Sequence, residues 1–73
     1  MTEYQYTVVL EKDEDARIVA ICPALQGCYT DGATEEEALE NIREAIQAHI
    51  ETRRMLGEPI PGELRAERVT LLV

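Results

Sequence analysis

The sequence predicts a single α+β domain over residues 1–73, with the element order β-β-β-α-β. Three observations support this class. Residues 4–11 alternate between two sides with a period of two, which is typical of a half-buried strand. Residues 35–56 repeat apolar side chains at helical spacing. A chain of 73 residues has room for one domain only.

The first two predicted strands form an antiparallel hairpin. The strand from Tyr4 to Glu11 leads into the polar run 12–15, which favours a turn. Residues 17–22 are apolar on both faces, as a central strand requires. Pro23 ends this second strand because it has no N–H to donate to a ladder.

A short third strand over residues 28–30 and an Asp31-Gly32 turn precede the clearest local signal, a helix over residues 35–56. Thr34 and Glu37 form a capping box, in which a hydroxyl and a carboxylate each satisfy a free backbone N–H. Gly57 supplies a left-handed residue at the end. One stripe of apolar positions predicts the face that packs on the sheet: Ala38, Leu39, Ile42, Ala45, Ile46, His49, Ile50 and Leu56.

The last predicted element is a fourth strand over residues 69–73, with a start as early as Ala66. The connector at residues 58–62 contains two prolines and cannot continue the helix. A helix between two strands acts as a right-handed crossover, so we expect the fourth strand to lie beside the first and parallel to it.

A single helix covers only one face of this sheet. The other face exposes either Val19 with Ile21 or Ile18 with Ala20, depending on the orientation of the second strand. Apolar surface left open on a small domain usually marks an interface. A core of this size, here without Phe or Trp, supplies only about 3–5 kcal/mol. We therefore expect a homo-oligomer, either a dimer or a tetramer.

The charge of the chain limits its partners. Fifteen acidic and seven basic side chains give a formal net charge of −8. Binding to phosphates needs a basic patch, so we expect no direct contact with nucleic acid, whereas a basic protein suits this surface. Apolar runs are too short for a membrane span, and Met1 to Tyr6 lack the features of a signal peptide, which predicts a cytoplasmic protein.

The sequence predicts no catalytic residue, metal site or cofactor. It contains no Ser, and its single histidine, His49, lies in the helix stripe, where it is either a packing residue at the margin of the core or an interface contact. Cys22 and Cys28 have neither redox nor zinc spacing, and we interpret them as small half-buried hydrophobic residues.

An acidic turn is the main candidate for a polar contact. Asp13, Glu14 and Asp15 lack the pattern of a calcium loop, and are either a solvated turn that prevents edge pairing or a contact for a basic partner. Together with the open face, they give the candidate partner-contact residues Asp13, Glu14, Asp15, Val19 and Ile21.

Three sequence parts together resemble the antitoxin of HicA–HicB toxin–antitoxin modules, over Tyr6 to about Pro61. The first is the opening strand with its acidic turn. The others are a loop that leads into the helix start and a proline-containing connector. Their matching residues are Pro23, Leu25, Gly27 and Cys28, then Thr34, Glu36, Glu37, Ala38 and Leu39, then Gly57, Glu58, Pro59, Ile60 and Pro61.

The resemblance implies a partial ribonuclease-H-like fold and a non-enzymatic protein that binds a small basic HicA-type ribonuclease toxin and blocks its active site. Ala24 and Gln26 depart from the acid and proline that the family loop often contains. Many members continue into a DNA-binding domain, whereas this sequence ends at Val73, so we expect no C-terminal DNA-binding domain and no autorepression by this chain alone.

Two alternatives to a toxin antagonist are open. The chain could be an orphan oligomeric binding or structural module of the same family, without a toxin. It could also be a metal-dependent ribonuclease-H-like nuclease, but that activity needs converging carboxylates, and the inward strand positions are mostly apolar.

Overall fold

A computed structural model describes residues 3–73 and contains three strands followed by one helix. The sheet is antiparallel with the order β1-β2-β3, and the helix α1 packs on one of its faces. The α+β class, the three-stranded meander and the helix bounds are therefore confirmed. The elements are β1 (Val9–Lys12), β2 (Ile18–Ile21), β3 (Tyr29–Gly32) and α1 (Glu35–Leu56).

β1 is shorter than predicted because it begins at Val9 rather than Tyr4. Val9 pairs with Ile21, so the same register places Thr7 opposite Pro23. Pro23 has no N–H to donate, and the ladder therefore cannot continue toward the start of the chain. Residues 3–8 approach β1 without belonging to the sheet.

The turn between β1 and β2 is a three-residue hairpin loop. The backbone oxygen of Asp13 accepts from Ala16 N at 3.1 Å, and Asp13 N donates to Arg17 O at 2.9 Å. Ala16 has φ 62, a left-handed conformation that favours glycine. The Asp13 carboxylate accepts from the backbone N–H groups of Asp15 and Arg17, both at 2.9 Å, so this side chain helps to build the turn.

The core lies between the sheet and α1. Its fully buried side chains come from β2, from the loop after β2 and from the first half of the helix: Ala20, Cys22, Leu25, Cys28, Ala38 and Ile42. Two residues of the predicted helix stripe are exceptions, because Leu39 is 41% exposed and Leu56 is 66% exposed. The stripe prediction is therefore correct in the middle of the helix and wrong at these two positions.

β3 extends to Gly32, so the predicted Asp31-Gly32 turn is wrong. Gly32 is needed for a close approach rather than for a bend. A Cβ atom at this position would lie 2.6 Å from the backbone nitrogen of Ala38. The absence of a side chain therefore allows the first turn of α1 to pack directly on β3.

Both ends of α1 are capped as predicted. Thr34 Oγ1 accepts from Glu37 N at 3.1 Å, and the Glu37 carboxylate accepts from Ala33 N at 3.2 Å. Gly57 has φ 70, and the N–H groups of Gly57 and Glu58 donate to carbonyls of the last turn. These caps satisfy groups that a helix end would otherwise leave without partners.

The predicted fourth strand is not formed, because residues 58–73 contain no strand in the structure. Their first part is instead anchored by side-chain contacts. Tyr6 donates its hydroxyl to Pro61 O at 2.6 Å, and the Glu63 carboxylate accepts from Thr7 N at 2.6 Å and from the Thr7 hydroxyl. The N–H of Thr7 thus donates to a carboxylate and not to a backbone carbonyl, so no strand pairing begins between Thr7 and this segment.

Candidate functional site

The face of the sheet opposite α1 is the candidate partner surface, and we call it the open face. Side chains alternate between the two faces of a strand. Ala20 is fully buried against the helix, so Val19 and Ile21 point to the other side. This decides between the two orientations that the sequence leaves open. The strands and helix of residues 3–73 place no element on the open face.

Cross-strand register divides the open face into two rows. Val9, Ile21 and Tyr29 form the apolar row, in which Val9 is 40% exposed, Tyr29 is 69% exposed and Ile21 is half-buried between them. The next row, which we call the acidic row, places half-buried Val19 between the exposed residues Glu11 and Asp31. An apolar surface thus borders directly on carboxylates.

The acidic turn adjoins the acidic row. Glu14 and Asp15 are exposed at its tip, whereas the Asp13 carboxylate is engaged by the hydrogen bonds of the turn. Arg17 Nε lies 2.8 Å from Asp31 Oδ2, and this contact raises the pKa of the guanidinium, through the hydrogen bond first and the charge of Asp31 second. Both partners are about half exposed, so solvent screens the pair.

Sequence reasoning missed Glu11 and Asp31 as members of this surface. Glu11 could have been predicted, because it is two residues from Val9 and therefore lies on the same side of β1. Asp31 was hidden by its assignment to a turn. All five predicted contact residues lie on the open face or on the turn beside it, but the structure gives Asp13 a structural role as well.

A segment of the chain borders the apolar row. Residues 62–67 line a groove of about 440 Å³ together with Thr7, Val9, Pro23 and Ala24. Hydrogen bonds from the Thr7 hydroxyl and the Thr7 backbone N–H hold the pKa of Glu63 below its usual value. The charged form of Glu63 therefore anchors this segment beside the start of β1.

The two thiols of the chain are part of the core, more deeply than the predicted half-burial. Cys22 N donates to Cys28 O at 2.9 Å, and both side chains are buried. Burial raises the pKa of both thiols, which keeps them protonated and weakens them as nucleophiles. Within residues 3–73, no three His, Cys, Asp or Glu side chains converge as metal ligands would.

No helix in the described part of the chain combines the length and the apolar character that crossing a membrane requires.

Comparison with protein families gives one match that covers most of the chain. Residues 6–70 match a family described as "HicB_like antitoxin of bacterial toxin-antitoxin system". The matched region contains all three strands, the helix and most of the segment that follows it.

Several curated proteins are similar in sequence. UPF0150 protein Ta0767 of Thermoplasma acidophilum is 49% identical over 67 residues, which cover 92% of this chain and 96% of that protein. UPF0150 protein ssr1765 of Synechocystis is 48% identical over 60 residues, which cover 82% of this chain and 76% of that protein. A UPF0150 protein of Helicobacter pylori is 38% identical over 64 residues, covering 88% and 72%. No solved structure gives a significant match.

Proposed function

The chain belongs to the HicB-like antitoxin family, and from that premise we propose that it is a non-catalytic antitoxin that binds a small basic HicA-type ribonuclease toxin. The contact lies at the acidic end of the open face. The observation that supports this assignment is the acidic row, where half-buried Val19 is flanked by Glu11 and Asp31 and continues into the acidic turn.

This arrangement has the composition of a protein-binding surface. Interfaces combine an apolar centre with a polar rim, and Val19 supplies apolar area between exposed carboxylates. Residues 11–17 and Asp31 carry five carboxylates against two cations. A basic toxin would be attracted to this end of the sheet before contact, because a field of one sign steers oppositely charged molecules.

Inhibition then follows from occupancy alone. The toxin would bind these carboxylates through its own basic surface, the kind of surface that binds RNA phosphates. RNA is then excluded because that surface is covered and because the carboxylates repel phosphates. The antitoxin supplies no reactive group in this scheme. The high pKa of the two buried thiols accords with that role.

The direct test begins with a search for a small basic open reading frame beside this gene. The ribonuclease activity of its product is then measured while the purified chain is titrated in. We expect activity to fall to zero at a fixed stoichiometric ratio. Undiminished activity at a large excess of the chain would contradict the proposal, and a genome without such a basic neighbour would favour the orphan module.

A charge-matched pair of variants locates the contact. Glu14→Gln with Asp15→Asn removes two carboxylates at the tip of the turn and leaves Asp13 to hold the backbone. Glu40→Gln with Glu44→Gln removes the same charge from the exposed side of α1. We expect the first pair to slow association several-fold at low salt and to reduce its salt dependence. Equal slowing by both pairs would mean that only net charge matters and that the turn is not a contact.

A further inference from the structure

The segment over residues 69–73 is the most exposed apolar part of the described chain. Its apolar side chains, which we call the apolar tail, are those of Val69, Leu71, Leu72 and Val73; the first two are about three-quarters exposed and the last two are fully exposed. The side chains of this segment carry no charge, and most are β-branched or aliphatic, as in strands. Such surface on a small protein marks a contact with another molecule.

The protomer does not cover the apolar tail itself. Glu63 and Pro61 bind Thr7 and Tyr6, and residues 66–68 then lie along residues 7–10. Beyond residue 68, each apolar side chain of the tail is at least 75% exposed, so it contacts little of its own protomer.

We propose that the apolar tail of one protomer packs on the apolar row of a second copy, and that the second copy returns the same contact. The row offers Val9 and the 69%-exposed ring of Tyr29, with Ile21 between them. Aromatic side chains are favoured anchors in protein interfaces. A reciprocal exchange about a two-fold axis buries both tails and both rows at once, and it closes at two copies.

Charge favours a second copy as the occupant of the row. Two protomers that each carry a net charge of −8 repel one another, so their contact must be uncharged or must place a cation against carboxylates. The side chains of the apolar tail carry no charge, and neither do those of the apolar row. Packing one on the other therefore brings no carboxylate of one copy against a carboxylate of the other.

The exchange uses a different part of the open face from the proposed toxin contact. The apolar row receives the tail, and the acidic row with its turn remains accessible at the other end of the strands. The exchange would account for the predicted homo-oligomer, because it covers the exposed apolar side chains of residues 69–73 with the sheet of the other copy. This inference does not depend on the existence of a toxin.

The first test measures mass in solution for the full chain, without a toxin. Light scattering at micromolar concentration should give twice the chain mass of 8.2 kDa. Leu72→Asp should weaken the dimer about 100-fold or more, since it removes a buried leucine and buries a charge. Met55→Asp is the matched control, because Met55 is 86% exposed but lies on α1, away from the open face. Tyr29→Asp should also disrupt the dimer, because it places a charge in the apolar row on which the tail packs.

These substitutions change side chains that are exposed in the protomer, so circular dichroism should show unchanged helix content for all three variants. The second test identifies the contact itself. In a mixed sample of isotope-labelled and unlabelled chain, filtered NMR spectra should show intermolecular contacts between the Tyr29 ring and the methyl groups of residues 69–73. A monomer, a dimer that Leu72→Asp leaves intact, or a dimer in which Tyr29 contacts only the Val9 or Tyr29 of the other copy would overturn the proposal.

Discussion

A side chain added at Gly32 tests how closely the helix and the sheet depend on each other. In Gly32→Ala, the new Cβ would lie 2.6 Å from Ala38 N and 3.0 Å from both Ala38 Cα and Glu37 C. All three atoms belong to the backbone, so no flexible side chain can move aside. Gly62→Ala is the matched control, because a Cβ there meets nothing within 4 Å.

The expected cost follows from these distances. Ordinary van der Waals contact begins at 3.4 Å, so the first turn of α1 must retreat by about 0.8 Å or β3 must bend away. Insertion of one carbon into a packed core costs about 1–3 kcal/mol. A core of this size supplies about 3–5 kcal/mol in total. Gly32→Ala should therefore remove about a fifth or more of the stability of the protein.

Urea unfolding of both variants and the unchanged chain, at one protein concentration, measures the effect. Each kcal/mol shifts the thermal midpoint of a domain of this size by about 4–8 °C, so Gly32→Ala should also melt roughly 10 °C lower. Gly62→Ala should match the unchanged chain within about 0.5 kcal/mol. If the two variants unfold at the same urea concentration, the helix does not pack directly on β3.

Three further changes test local features. Thr34→Ala should lower the free energy of unfolding by about 0.5–2 kcal/mol; an unchanged urea midpoint would place the start of α1 elsewhere. Ala16→Gly should raise it by about 0.5–1 kcal/mol, because φ 62 strains alanine more than glycine; a loss of stability would exclude that conformation. Hydrogen bonds from Thr7 lower the pKa of Glu63 in the folded protein. The stability that Glu63 contributes is therefore present above its usual pKa and is lost as the pH falls through its pKa in the folded state. Glu63→Gln should therefore be less stable than the unchanged chain near neutral pH and equal to it in acid, and a difference that persists in acid would contradict the anchor.

The helix was predictable because its determinants are local. Thr34, Glu37 and Gly57 act within one turn of the backbone they cap, and the apolar period identifies the buried face around Ile42. The exposed position of Leu39 could not be read from the period, since it depends on how far the sheet extends under the helix.

The remaining errors involve contacts between separate elements or segments of the fold. Gly32 resembles a turn residue until the approach of Ala38 is known. The start of β1 depends on the register that sets Thr7 opposite Pro23. The fourth strand had the right composition, but the Glu63–Thr7 contact, between residues 56 positions apart, anchors the chain in another arrangement.

The candidate site could be predicted only in part, because its arrangement also depends on contacts between separate elements. The two faces of β2 are both apolar, so only the packing of Ala20 on α1 reveals that Val19 and Ile21 face away. The acidic turn is visible in the sequence, whereas its position beside Glu11 and Asp31 requires the cross-strand register. The ribonuclease-H-like fold and the absence of a DNA-binding domain stay predictions.

The most direct measurement of the central claim is an NMR titration of the ¹⁵N-labelled chain with the basic toxin. The account predicts that the largest signal changes lie on residues 11–17, Val19 and Asp31, with little change on the exposed side of α1 at Glu40 and Glu44. Signal changes confined to that side of the helix, with the open face unaffected, would contradict it.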